Sequence, residues 1–104
     1  MPPIDYDPAT EIHVRRFQGK LTSDRCQAMA GEVEAEINSL IEEDPEARLA
    51  FDLAGVDFIV SAFIRLCLQA ARRMPKGNFT IVHCQPEVRK IFSVAGLDKL
   101  IELS

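Results

Sequence analysis

The sequence is poor in the features that mark metal-binding, nucleic-acid-binding and membrane proteins. Its three cysteines, Cys26, Cys67 and Cys84, form no CxxC or CxH pair and leave an odd thiol. That pattern excludes a local zinc knuckle and suits a reducing compartment. Each cysteine sits among apolar neighbours and reads as a small buried hydrophobe. His13 and His83 both fall in stretches that read as strands, without a cysteine or carboxylate at ligand spacing, so neither a metal nor another cofactor is expected. Positive charge is scarce: 12 Lys and Arg against 16 Asp and Glu give a net charge of −4 and a pI near 5.1. Nucleic acid is therefore not an expected partner, because phosphate binding needs a concentrated positive field. No apolar run reaches bilayer length, since Arg65 and Arg72 interrupt the longest one, and the acidic start MPPIDYDP lacks an apolar signal core. No membrane insertion is expected, and the expected location is cytoplasmic. Internal repeats, low-complexity tracts and linkers are missing as well. What remains is a chain of 104 residues, 47% hydrophobic and 27% charged, the composition of a single globular domain spanning residues 1–104.

The pattern of apolar residues orders the elements. IDYD followed by PAT suggests a short strand and a turn, and EIHVRRFQG, residues 11–19, places Ile12, Val14 and Phe17 against polar neighbours before stopping at Gly19. Together they predict an N-terminal hairpin. Thr22-Ser-Asp offers helix caps, and Cys26, Met29, Val33, Ile37, Leu40 and Ile41 repeat at three and four residues until Asp44-Pro45. A nearly continuous apolar strand follows over Leu49 to Leu53, with a bend at Gly55. The period changes at Ser61. Ile64, Cys67, Leu68 and Ala71 then share one helical face, and Arg65, Gln69, Arg72 and Lys76 the other. FTIVHC reads as a strand, PEVRKIFSVAG as a helix between Pro86 and Gly96, and LIEL as a last strand or helical turn. Alternation of strand and helix predicts an α/β sheet with parallel pairs and one helix-covered face.

Four stretches resemble the STAS domain, the fold of bacterial anti-sigma-factor antagonists. They are QGKLT at a strand end, FDLAGVDFI beside the signature D-L-S-x-V-x-F-I, the strand FTIVHC, and VRKIFSVAGLDKLIEL beside V-x-x-x-L-x-x-x-G-L-D-x-L-I. Their order covers residues 11–103. The resemblance implies a STAS-like mixed sheet of four to five strands with helices packed mainly on one face. In that family the signature continues as D-S-S-G-L or D-S-T-G-L, and a partner kinase that is also the anti-sigma factor phosphorylates the second hydroxyl residue. Carried onto this chain, the aspartate becomes Val60, the first serine is Ser61, the phospho-acceptor becomes Ala62, the glycine becomes Phe63 and the leucine becomes Ile64.

Alanine has no oxygen to esterify, so the usual switch position is closed. Ser61 is expected to cap the helix, typically a stabilisation of ~1 kcal/mol; phosphorylation of Ser61, favoured by the helix dipole, is the alternative. Phe63 is either an apolar anchor for a partner or a space-filler beneath the helix. Asp52 and Asp57 read as turn and surface carboxylates, there being no glycine-rich phosphate loop, lysine or histidine beside them. The expected surface for a partner thus comprises Asp57, Ser61, Ala62 and Phe63. The expected role is that of a non-enzymatic interaction module binding an anti-sigma factor or switch-protein kinase. Alternatives are a regulatory STAS subunit of a transporter ATPase and a small-ligand sensor using Asp52, Asp57 or a cysteine. Exposed apolar residues near the loop would also suit a homodimer.

Overall fold

The computed structural model describes residues 4–75 and 77–104; Lys76, assigned above to a polar helical face, lies outside them. The chain runs through β1 (Ile4–Asp7), β2 (Ile12–Leu21), α1 (Ser23–Glu43), β3 (Leu49–Ile59), α2 (Ser61–Arg73), β4 (Phe79–Val82) and α3 (Pro86–Val94). A single 3-10 turn, Leu97–Lys99, leads into β5 (Glu102–Leu103). The five strands lie in sequence order, β1 antiparallel to β2 and all other pairs parallel. The mixed sheet and the N-terminal hairpin agree with the sequence reading. The hairpin turn is built by Asp7, whose carboxylate accepts from the Ala9 amide and the Thr10 hydroxyl, both at 3.0 Å.

Strand alternation sorts the side chains of the sheet. Phe17, Leu49, Phe51, Leu53, Phe79 and Ile81 face the helices and are buried. Across the sheet, Arg16 reaches Asp5 at 2.7 Å and Asp52 at 3.8 Å. β3 is the central strand, paired along its length with β2 and over Leu49–Asp52 with β4, which is why its sequence is so apolar. α1 begins at the Thr22 cap, whose hydroxyl accepts from the Arg25 amide, and buries Cys26, Val33, Ile37 and Leu40. α3 starts with Pro86 in its first turn and ends before Gly96 at φ +81°, a left-handed position that favours glycine.

The structure departs from the sequence reading at several places. β2 does not stop at Gly19 but continues to Leu21, with Gly19 at φ +80° where the register shifts. β3 does not end at Leu53, because the bend near Gly55 is absorbed by two extra residues on that strand. α2 buries Phe63, Leu66, Cys67 and Ala70, whereas Ile64, Leu68 and Ala71 are only partly buried at the edge of the core. The residues from Phe63 to Ala71 are apolar over a wide arc, and the large ring of Phe63 selects which part of it turns inward. β4 stops at Val82; His83, expected in the strand, takes a left-handed φ of 58° and is exposed.

One partly buried ion pair joins α1 to the sheet. Arg15 Nε donates to Glu36 Oε1 at 3.1 Å, with side-chain exposures of 15% and 12%, while Glu36 Oε2 has no hydrogen-bond partner. Burial raises the Glu36 pKa above its ordinary 4.5, a push that Arg15 opposes and neighbouring Glu32 reinforces. The folded chain therefore holds this proton more tightly than the unfolded chain, and stability falls as pH rises through the window just above 4.5. Denaturant unfolding across mildly acidic pH is expected to show that slope in the natural chain and a flatter one in Glu36→Gln.

Candidate functional site

The end of β3 and the start of α2 are shaped by two register shifts against β2. The pairing passes from Arg16↔Asp52 to Gln18↔Gly55, and from Gly19↔Val56 to Lys20↔Phe58, so each shift places one extra residue on β3. In the second shift that residue is Asp57. The irregular backbone finds polar partners nearby. Asp52 Oδ1 accepts from the Ala54 amide at 3.0 Å, and Gln85 Nε2 donates to the Ala54 carbonyl at 3.1 Å. Arg25 Nη1, from the first turn of α1, donates to the carbonyls of Gln18 at 2.7 Å and Lys20 at 2.8 Å. Those two bonds straddle Gly19, where an added Cβ would stand 3.2 Å from that same nitrogen.

This scaffold presents three neighbouring exposed side chains. Asp57 accepts from Lys20 Nζ at 3.4 Å, and that ammonium also sits 5.8 Å from the centre of the Phe58 ring. Both charged side chains are more than half exposed, so their pairing adds little to stability. Phe58 remains 42% exposed, which leaves an apolar ring flanked by a cation and an anion. Neither Lys20 nor Phe58 stands out in the sequence, since their proximity follows from the shifted register.

Val60, in extended conformation at φ −123° and ψ 170°, is the residue before the helix, and no side chain caps it. Ser61 is the first helical residue and is exposed. Its expected capping role is therefore not realised: the cap must be extended to swing an oxygen back onto the first turn, and Val60 holds that place. Ala62 is half-buried against the core. Phe63, expected on the partner surface, is fully buried and out of reach of a partner. Its ring lies 5.1 Å from Phe17, 6.3 Å from Phe51 and 6.4 Å from Phe92. The space-filling alternative is thus the one the structure takes.

The other polar candidates are dispersed. Asp52 is engaged by Ala54 and Arg16, and Asp57 by Lys20, so the two carboxylates serve different cations. Among the described residues no group of three His, Cys, Asp or Glu side chains could hold a metal ion, and no helix is long and apolar enough to cross a membrane. Cys26 and Cys67 are buried and Cys84 partly so; burial raises all three thiol pKa values, that of Cys67 well above the ordinary 9.0. Such thiols stay protonated and weakly nucleophilic. Exposed apolar side chains do occur on α3, where Ile91 and Val94 lie off the buried Val88–Phe92 stripe.

Residues 10–102 match the family model described as Mlab, STAS domain. The chain is 32% identical over 71 residues to a putative anti-sigma factor antagonist, BtrV, of Bordetella bronchiseptica; the match covers 66% of this chain and 60% of that relative's length. Among solved structures, an anti-sigma-factor antagonist (STAS) domain protein from Planctomyces limnophilus superposes with a TM-score of 0.78 at 18% identity, over 96% of this chain and 86% of the other. The Bacillus cell fate determinant SpoIIAA in its phosphorylated form gives a TM-score of 0.63 at 20% identity, over 97% of this chain and 90% of the other.

Replacing Phe63 tests its role as a wedge. Phe63→Ala is expected to lose about 3–5 kcal/mol of unfolding free energy in urea titrations. Phe63→Gly, which restores the residue of the family pattern, is expected to lose roughly 1 kcal/mol more through its poor helix propensity.

Proposed function

Since the chain belongs to the STAS (Mlab) domain family, we propose that it is a non-enzymatic partner-binding module of the anti-sigma-factor antagonist type whose binding is not switched off by phosphorylation at the usual place. The partner is an anti-sigma factor or switch-protein kinase. The observation that supports this reading is the make-up of the α2 start: a methyl at Ala62, where the D-S-[ST]-G-L pattern that the segment resembles has a hydroxyl, and a fully buried ring at Phe63, where that pattern has glycine. An exposed surface remains around that point, formed by Asp57, Phe58, Lys20 and Ser61.

The chemistry follows from these groups. A phosphate ester needs an acceptor oxygen, and Ala62 supplies none. A partner that docks on the α2 start instead meets the Phe58 ring as an apolar contact, with Asp57 and Lys20 offering one charge of each sign for orientation. Aromatic residues ringed by polar ones are the usual energetic centres of interfaces. Phe63 contributes from below, by fixing the height and angle of the first α2 turn against the sheet.

Incubation with switch kinases and ATP, read by intact mass, is expected to leave the natural chain unmodified and to add one phosphoryl group to Ala62→Ser; stoichiometric phosphate on Ser61 of the natural chain would contradict the proposal. Binding to the cognate anti-sigma factor is expected to weaken about tenfold or more in Phe58→Ala. Retention of a transporter ATPase in place of an anti-sigma factor in the same pull-down would favour the regulatory-subunit reading.

A further inference from the structure

α1 and α2 lie side by side and run in the same direction. Ser23 and Gln27 stand across from Ala62 and Arg65 at one end, and Glu34 and Ile37 across from Ala70 and Arg73 at the other. Between the helices lie two cavities of about 330 and 270 Å³ that share Ala30, Leu66 and Gln69 and so form one groove. From Ala62 to Arg73 that groove is roughly 16 Å long, three turns of helix. Its floor is apolar: Val33, Ile37, Leu66 and Ala70 are buried beneath it. The small side chains of Ala30, Ala62 and Ala70 keep the two helices from filling the space between them.

The walls differ in charge. The α2 wall carries Arg65, Arg72 and Arg73, all exposed, and the α1 wall only Glu34. A positive groove thus lies on a chain of net charge −4. The ion pairs among the described residues join Arg15 to Glu36, Arg16 to Asp5 and Asp52, and Lys20 to Asp57; none of them uses a guanidinium of α2. A row of unpaired arginines beside an apolar floor complements a helix with an apolar ridge and acidic flanks, the ridge entering the groove and the carboxylates taking the guanidinium forks. A second copy of this chain fits less well. Its α1 is rich in acidic residues, but the apolar side chains Cys26, Val33, Ile37 and Leu40 are buried in its own core and leave no ridge to insert.

We propose that the α1–α2 groove is a docking site for an acidic amphipathic helix of a partner protein. It adjoins the α2 start at Ala62 but extends away from Phe58, and it does not depend on which partner occupies that surface.

Two synthetic helical peptides of about 15 residues test this: one with leucines at helical i, i+3, i+4, i+7 spacing flanked by glutamates, the other with lysines in place of the glutamates. Titrated into isotopically labelled protein, the acidic peptide is expected to shift the amides of Ala30, Val33, Leu66, Gln69 and Ala70. Its affinity is expected to fall with added salt and by tenfold or more in Arg65→Glu/Arg72→Glu. Gln69→Trp, an exposed substitution at the junction of the two cavities, is expected to block the groove without unfolding the chain and to leave binding at the Phe58 surface intact. Equal binding of the lysine peptide, shifts centred on Phe58 or Val94, or no saturable binding at millimolar peptide would each overturn the proposal. So would self-association of the chain through the same amides, which would assign the groove to a second copy.

Discussion

The structure depends on one buried aromatic contact, the Phe63 ring wedged among Phe17, Phe51 and Phe92. It joins β2, β3, α2 and α3 at a single point, with Phe17 and Phe51 meeting edge to face at 4.9 Å. Aromatic pairs of this kind add roughly 0.5–1.5 kcal/mol each beyond simple burial. The same ring fills the space beneath the α2 start that a glycine there would leave empty. With Phe63 inward, the exposed surface beside the α2 start is formed by side chains that the β3 bulge turns outward.

That surface is held by backbone bonds more than by side-chain pairs. Arg25 bonds two carbonyls on either side of Gly19, while Asp52 and Gln85 satisfy the Ala54 amide and carbonyl. Unsatisfied carbonyls and amides in a bulged strand would cost about 1–3 kcal/mol each if left dry, so these three side chains fix the shape of the strand end. Lys20 and Asp57, by contrast, stand in water and are free to exchange their pairing for one with a partner.

Much of this was legible in the sequence, for reasons that differ by element. The hairpin, the long α1 and the three parallel crossovers follow from apolar periodicity and from Thr22, Pro86 and Gly96 at helix ends, which are local signals. The reading of Ala62 rests on the resemblance of its segment to the STAS signature, not on periodicity or spacing. The inward turn of Phe63, the inward arc of α2 and the extension of β3 were not legible, because each is decided by which neighbour a side chain meets across the sheet. Phe58 and Lys20 escaped notice for the same reason: their proximity is set by a register shift, and no spacing within one segment encodes it. The arginines of α2 were visible as a polar face, but only the parallel packing of α1 shows that they border an apolar trough.

The two outer strands of the sheet are short, which limits strand pairing at its edges. β1 spans four residues and carries Asp5 and Asp7, and β5 spans only two. A foreign strand seeking to extend the sheet would find few amides to zip against on either flank, and carboxylates on one of them.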